Sequence, residues 1–164
     1  MFDIPVTSGS LSMLGSQPVK DAYVVQKLRE AGAVILASGA MDEFAAGLIS
    51  KSSRSARIGN AFDPTKNPGG SSGGSAVAVA SDYALVAIGS DNSGSIRVPA
   101  GFNGLFGLRP GSGCIKAEGI FPRGNLDGVI GPITKNPDDM RYILSVLTGQ
   151  PFHYADKKPI KLGW

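Results

Sequence analysis

Two serines in glycine-rich turns are the residues of this chain best suited to chemistry. Ser71 lies in the run Gly69–Ser75, and Ser95 follows 24 residues later in the run Gly89–Arg97. Small neighbours let backbone N–H groups come close to a bound carbonyl oxygen, as an oxyanion hole requires. The only histidine, His153, is in the C-terminal tail, so a Ser-His-Asp triad is a poor interpretation. The residues fit a serine nucleophile assisted by a second serine, which in turn needs a lysine behind it.

Helical and extended patterns alternate around these turns, and they predict the elements that position them. The predicted helices are Asp21–Glu30, a helix starting near Met41, Ser75–Ser81, and a last helix with Asn136 as its N-cap, Pro137 as its first residue and Gly149 at its end. The predicted strands are Ala33–Ala37, Ala84–Gly89 and Leu105–Leu108. This alternation predicts an α/β fold with a mixed, mostly parallel sheet flanked by helices.

The composition is that of one ordered domain with a modest core. Of the 164 residues, 42% are hydrophobic and 18% are charged, which excludes a disordered chain. The net charge is +3, and the basic excess in the tail (Lys157, Lys158 and Lys161) is interpreted as a solvated surface rather than a nucleic-acid patch. A single cysteine, Cys114, excludes an internal disulfide framework and fits a reducing, cytoplasmic compartment. The sequence shows neither a transmembrane stretch nor a signal peptide.

The two serine runs carry a resemblance to a known family. Gly69–Pro110, with the motifs GGSSGGSAVAVAS and LVAIGSDNSGSIRVPAGFNGLFGLRP, resembles the core of the amidase signature family. The similarity extends over Ala22–Gly47 and Gly128–Gly149, so that roughly residues 5–149 are covered. Members of this family hydrolyse amide bonds through a Ser-Ser-Lys triad. The resemblance therefore implies an amidase signature core and either amide hydrolysis or amidotransferase-type acyl transfer.

The resemblance also implies a role for each matching residue. Ser95 falls at the nucleophile, and Ser71 falls at the serine that relays its proton, after a cis Gly70–Ser71 peptide bond. We expect the two hydroxyls to lie within or near hydrogen-bond reach of each other. Gly70, Asp91 and Arg97 would shape the site, the last two by pairing. The oxyanion hole would be lined by the backbone N–H groups of Asn92, Ser93, Gly94 and Ser95. The resemblance implies no cofactor and no metal.

Other polar residues have simpler interpretations. Ser72 and Ser75 suit the cap of the helix that follows them. Asp42 and Glu43 suit the first turn of a helix, where the helix dipole favours acidic side chains. Cys114 has no base or metal-ligand spacing nearby, so we expect a buried or half-buried thiol.

The chain departs from the family pattern at both ends and within the nucleophile turn. The family's catalytic Lys-Asp segment lies upstream of a stretch that is Pro5–Ser10 here, so this lysine is missing, and we expect Lys20 to be solvated rather than its replacement. Ser93 stands where the family has glycine and would be strained if φ were positive there. We expect an amidase signature-like core over residues 1–150 and a tail over residues 151–164 that enters a further strand. Such a core, truncated at both ends, suits a natural truncation, a fragment or one piece of a split protein.

These departures leave two functions open. The first is an amidase acting on a small amide, weak or inactive as an isolated chain because the lysine is missing. The second is a non-catalytic amidase-like scaffold or binding module. Unpaired sheet edges at the two ends predict self-association or a complementing chain. Neither nucleic acid nor a membrane is an expected partner of this segment.

Overall fold

The computed structural model describes residues 4–121 and 128–152 and contains helices and one sheet, the α/β class that the sequence predicts. In chain order the elements are α1 (Tyr23–Glu30), α2 (Gly73–Ala80), β1 (Val86–Asp91), α3 (Arg97–Phe102), β2 (Phe106–Gly107), β3 (Val129–Thr134) and α4 (Pro137–Thr148). Two 3₁₀ turns, Leu11–Met13 and Glu43–Ala45, complete the regular structure of the described residues.

The sheet has the strand order β1-β3-β2, and both of its pairings are antiparallel. Val86 lies opposite Thr134, and Asp91 lies opposite Val129. The prediction of a mostly parallel sheet is therefore wrong for the described residues. The described chain before α2 contributes no strand to the sheet.

The predicted strand Ala33–Ala37 is an irregular, exposed segment in the structure. Val34 is 82% exposed and Leu36 is 66% exposed. A continuously apolar strand is stable only when both of its faces are covered. The described residues place no strand beside this segment, so its apolar pattern has no sheet to join.

The last helix confirms its sequence prediction at both ends. The Asn136 side chain accepts a hydrogen bond from the Asp139 N–H at 2.8 Å, and Pro137 is the first helical residue. Gly149 ends the helix in the left-handed conformation, with φ of 70°. One face of α4 is buried against α1 and β3, and this main core contains Val24, Leu28, Ile130, Met140, Ile143, Leu144 and Leu147.

Two other helix predictions need correction. The N-cap of α1 is Ala22, whereas the Asp21 carboxylate pairs at 3.0 Å with the guanidinium of Arg29, which lies in the last turn of the helix. The helix predicted from Met41 is only the 3₁₀ turn Glu43–Ala45, because the chain turns back at once through residues of positive φ. Contrary to the sequence prediction, Asp42 and Glu43 therefore do not lie in the first turn of an α-helix.

Two elements were not predicted as such: α3 and β3. All six residues of β3 are buried, since the strand lies between β1 and β2. Pro132 stands in its middle.

The predictions for the tail, including its further strand, His153 and the tail lysines, fall on residues 153–164, outside the described residues. Among the described helices none is long and apolar enough to cross a membrane.

Candidate active site

Asp91 organises the turn that carries Ser95. It is the last residue of β1 and is fully buried. Its carboxylate accepts hydrogen bonds from the Gly94 N–H at 2.7 Å and from the Ile96 N–H at 3.1 Å. These bonds curl the chain between β1 and α3 around the carboxylate. Gly94, with φ of 125°, takes the conformation that other residues avoid.

The predicted pair of Asp91 and Arg97 is present. The Arg97 Nε lies 3.0 Å from one carboxylate oxygen, and its terminal nitrogen lies 3.1 Å from the other. A second guanidinium, that of Arg109, stands 3.8 Å away. Burial alone would raise the pKa of Asp91, but the Arg97 hydrogen bond and the backbone N–H donors outweigh it and lower the pKa to about 2. The carboxylate therefore stays ionised at neutral pH.

The Ser71 turn is packed so closely that its glycines are required. The Gly70–Ser71 peptide bond is cis, as the resemblance implies. A Cβ on Gly70 would collide with the Asp42 carboxylate and would come within 2.8 Å of the Ile49 nitrogen. A Cβ on Gly69 would come within 2.6 Å of the backbone of α3. Both contacts lie below the closest approach of ordinary side chains, so this turn tolerates only glycine at the two positions.

Backbone and hydroxyl contacts join the two serine turns. The Ser72 N–H donates to the Ser95 carbonyl at 3.1 Å. The Ser72 hydroxyl accepts from the Ser90 N–H at 3.3 Å, and the Ser75 hydroxyl donates to the Ile88 carbonyl at 2.9 Å. The prediction that these two serine side chains cap α2 is therefore wrong. They attach the start of α2 to β1, because strand and helix lie side by side there.

The hydroxyls of Ser71 and Ser95 are not hydrogen-bonded to each other. Ser71 is fully buried, and its hydroxyl has no hydrogen-bond partner among the described residues. Ser95 is almost fully buried beside the same contact between the turns. The structure thus brings the two turns together, and the expected separation of the two hydroxyls, within or near hydrogen-bond reach, stays a prediction. A buried hydroxyl without a partner is rare in a folded protein.

The donors predicted for an oxyanion hole are not all available. The Gly94 N–H donates to Asp91, so its assignment to the oxyanion hole is corrected. The N–H groups of Asn92, Ser93 and Ser95 have no acceptor among the described residues. Ser93 is not one of the described residues with positive φ, because the neighbouring glycine takes that conformation, and the expected strain does not arise.

Sequence reasoning missed three buried polar side chains that support the site. Asp42 and Ser50 lie beneath the Ser71 turn, and Asn103 donates to the carbonyls of Pro68 and Pro99 at 2.8 Å each. Ser50 and Asn103 reach carbonyls 19 and 35 residues away, and Asp42 reaches N–H groups seven to nine residues further on, so no helix or strand pattern reveals these bonds. The glycines that the turn requires are the one signal that something packs closely against it.

The remaining candidates lie away from the two turns. Lys20 is exposed, as predicted. Cys114 is exposed as well, so the expectation of a buried thiol is wrong, because its loop runs over the surface next to Gly111. The described residues hold no cluster of side chains that could bind a metal ion.

Comparison with known proteins connects this geometry to a family. The family model described as Amidase matches residues 1–161, which is nearly the whole chain. The chain belongs to the amidase family. The resemblance noted on the two serine motifs is thereby confirmed.

Relatives and solved structures of the amidase family match most of this chain in sequence and in fold. It is 45% identical to a glutamyl-tRNA(Gln) amidotransferase subunit of Prosthecochloris aestuarii, over 88% of this chain and 30% of that protein. The corresponding subunit of Archaeoglobus fulgidus is 40% identical, over 90% and 32%. The peptide amidase of Stenotrophomonas maltophilia superposes with a TM-score of 0.86 at 36% identity, over 92% of this chain and 32% of that one. The chain therefore spans about a third of the length of the curated relatives it matches.

Proposed function

We propose that this chain provides the serine nucleophile for amide-bond hydrolysis or amidotransferase-type acyl transfer. The observation that carries the proposal is the contact between the turns, where the Ser72 N–H meets the Ser95 carbonyl at 3.1 Å. Beside that contact lies the buried Ser71 hydroxyl, which has no partner among the described residues. Family membership and the relatives named as amidases and amidotransferase subunits support the same reaction class.

In the proposed reaction Ser95 Oγ attacks the amide carbonyl carbon. Its proton passes to Ser71 Oγ, and the Ser71 hydroxyl passes its own proton to the base behind it. The carbonyl oxygen becomes an oxyanion and accepts hydrogen bonds from the N–H groups of Asn92, Ser93 and Ser95. Collapse of this intermediate breaks the C–N bond, and the leaving nitrogen takes the proton. Water or another amine then attacks the acyl carbon and loses a proton, the bond to Ser95 Oγ breaks, and Ser95 Oγ takes up a proton to restore its hydroxyl. The scheme uses no cofactor, and the ion pair of Asp91 fixes the turn rather than reacting.

Ser71 needs a base behind it, and we propose that this base is a lysine supplied from outside the described residues. Lys20 is exposed and does not contact the Ser71 hydroxyl. An unassisted serine is a weak nucleophile at neutral pH, so we expect the isolated chain to be a weak amidase or inactive. The unpartnered hydroxyl also favours one alternative, a non-catalytic amidase-like scaffold that keeps the fold without the base.

We propose that the substrate is a small amide. We also propose that the chain acts while bound to a complementing chain or to a second copy of itself. The two amidotransferase relatives are named as subunits, which by that word assemble with other chains. We further propose a cytoplasmic location, since a single cysteine fits a reducing compartment. We propose no membrane partner and no nucleic-acid contact for this segment.

Hydrolysis of a simple amide tests the proposal. The 164-residue chain is assayed alone and with a synthetic peptide that carries the family's Lys-Asp segment. We expect a gain of roughly 10²–10⁴-fold with the peptide, the usual contribution of general base assistance. Ser95→Ala should abolish the gain, whereas Ser81→Ala, an exposed serine at the end of α2, should not.

Two results would contradict this assignment. Brisk hydrolysis by the bare chain that Lys20→Ala stops would make Lys20 the base. Absence of turnover with and without the peptide, together with no adduct of a fluorophosphonate on Ser95, would favour the scaffold.

A further inference from the structure

A serine outside both motifs bridges the two ends of the Ser71 turn. The Ser50 hydroxyl donates to the Gly69 carbonyl at 2.8 Å and accepts from the Gly73 N–H at 3.0 Å. Gly73 is the first residue of α2, where an N–H has no partner within the helix. The residue at the N-cap, Ser72, makes no side-chain capping bond. The Ser50 hydroxyl therefore caps the first N–H of α2 from a loop 23 residues earlier in the chain, in place of the N-cap side chain.

Asp42 fixes the position of Ser50. Its buried carboxylate accepts hydrogen bonds from the Ile49 and Ser50 N–H groups, at 3.2 Å and 3.0 Å, and from the Lys51 N–H at 3.0 Å. The Asp42 N–H in turn donates to the Ser71 carbonyl at 3.2 Å. One residue thus holds the Ser50 loop with its side chain and the relay serine itself with its backbone.

The local conformation gives no reason for a serine at position 50. Ser50 has φ of 52°, a conformation for which glycine or asparagine is better suited. It is completely buried, although serine is mostly found at protein surfaces. A buried serine in this conformation is explained by its two hydrogen bonds to the ends of the Ser71 turn.

We propose that Ser50, held by Asp42, is a positioning residue for Ser71, an inference that rests on the proposed function of Ser71 as proton relay. Ser71 has no hydrogen bond of its own to orient its hydroxyl within the described residues. Its orientation is therefore set by the backbone of Gly69–Gly73, and Ser50 holds both ends of that backbone. Loss of the Ser50 hydroxyl leaves two buried backbone groups unpaired and frees the turn to shift.

The test compares Ser50→Ala with Ser52→Ala in the 164-residue chain. Ser52 lies in the same loop, but its hydroxyl bonds to the hydroxyl and the N–H of Ser55, at 3.0 Å and 3.1 Å. Both changes remove one hydroxyl with two hydrogen bonds. Hydrogen exchange of the Gly73 amide, which needs no catalysis, should quicken about 10-fold or more in Ser50→Ala and stay unchanged in Ser52→Ala.

A second readout separates positioning from simple loss of stability. The rate of Ser95 acylation, measured with the Lys-Asp peptide present, should fall about 10-fold in Ser50→Ala with KM unchanged. In the Ser71→Ala background the same Ser50 change should have no further effect, because Ser71 transmits its influence. A merely structural role would lower the rate equally in both backgrounds.

The outcomes distinguish this inference from the proposed function. Unchanged Gly73 exchange in Ser50→Ala, or equal rate losses in the two backgrounds, overturns the positioning role even if the chain is an active amidase. If wild type shows no reaction at Ser95 at all, the proposed function fails. In that case faster exchange at Gly73 still supports the hold of Ser50 on the turn, and unchanged exchange still refutes it.

Discussion

Replacing Asp91 by asparagine should remove a pH-dependent part of the stability of this fold. The carboxylate is fully buried and accepts hydrogen bonds from Gly94, Ile96 and Arg97. Burial by itself raises the pKa of Asp91, but the Arg97 and backbone donors lower it from the ordinary value of 3.8 to about 2. Because the folded-state pKa lies below the unfolded one, the stabilisation is present above pH 3.8 and is lost as the pH falls through about 2.

The size of the effect follows from the same two values. The gap between 3.8 and about 2 corresponds to about 2 kcal/mol of unfolding free energy at neutral pH, most of which disappears on acidification. Asparagine at position 91 keeps one acceptor oxygen but turns an amide NH₂ towards the backbone donors. This mismatch should cost a further ~1–3 kcal/mol that does not depend on pH.

Urea unfolding at several pH values measures both contributions. The difference in unfolding free energy between wild type and Asp91→Asn should shrink by about 2 kcal/mol between about pH 5 and about pH 2. Asp138→Asn is the matched control, because that carboxylate is exposed on the first turn of α4 and should show no change of this size. A wild-type-to-variant difference that stays constant over this pH range would refute the account of the Asp91 turn.

Two packing predictions concern the turn and the core. Gly70→Ala should lower the unfolding free energy by about 1–3 kcal/mol or more, because its Cβ would collide with the buried Asp42 carboxylate. Gly101→Ala is the control and should be neutral or stabilising, because open space surrounds that position in α3. Equal effects of the two changes in thermal unfolding would contradict the packing described for the turn. Leu147→Ala should lower the unfolding free energy by about 2–5 kcal/mol, because Leu147 is completely buried in the main core. In urea unfolding, Tyr142→Ala should lower it far less, because Tyr142 is exposed. Similar losses in the two variants would show that α4 does not bury the face described.

The parts of the fold that the sequence predicts well are governed by local rules. The start of α4 at Asn136 and Pro137 and its end at Gly149 depend on neighbouring residues alone. The helix after the Ser71 turn and the strand before the Ser95 turn were predicted to within a few residues for the same reason. The proximity of the two turns, by contrast, was implied by the resemblance of both motifs to one family.

The parts that failed depend on contacts between distant residues. The segment 33–37 has the composition of a buried strand, yet strand formation requires a neighbour that the described residues do not provide. Asp42 was interpreted as a helix-start residue, whereas its carboxylate serves N–H groups seven to nine residues further on. Nothing in the sequence near Ser50 shows that its hydroxyl reaches a turn nineteen residues away.

The pairing of β1 with β3 has a consequence for the kinetics of folding. The ladder joins Val86 to Thr134 and Asp91 to Val129, residues that are 48 and 38 positions apart in the chain. Closing loops of this length costs conformational entropy before the strand contacts are gained, and such non-local pairing slows folding. The Ser95 turn lies inside the loop that the ladder closes, and the Ser71 turn lies before it. The time needed to close this ladder therefore sets how soon after synthesis the Ser95 turn is fixed.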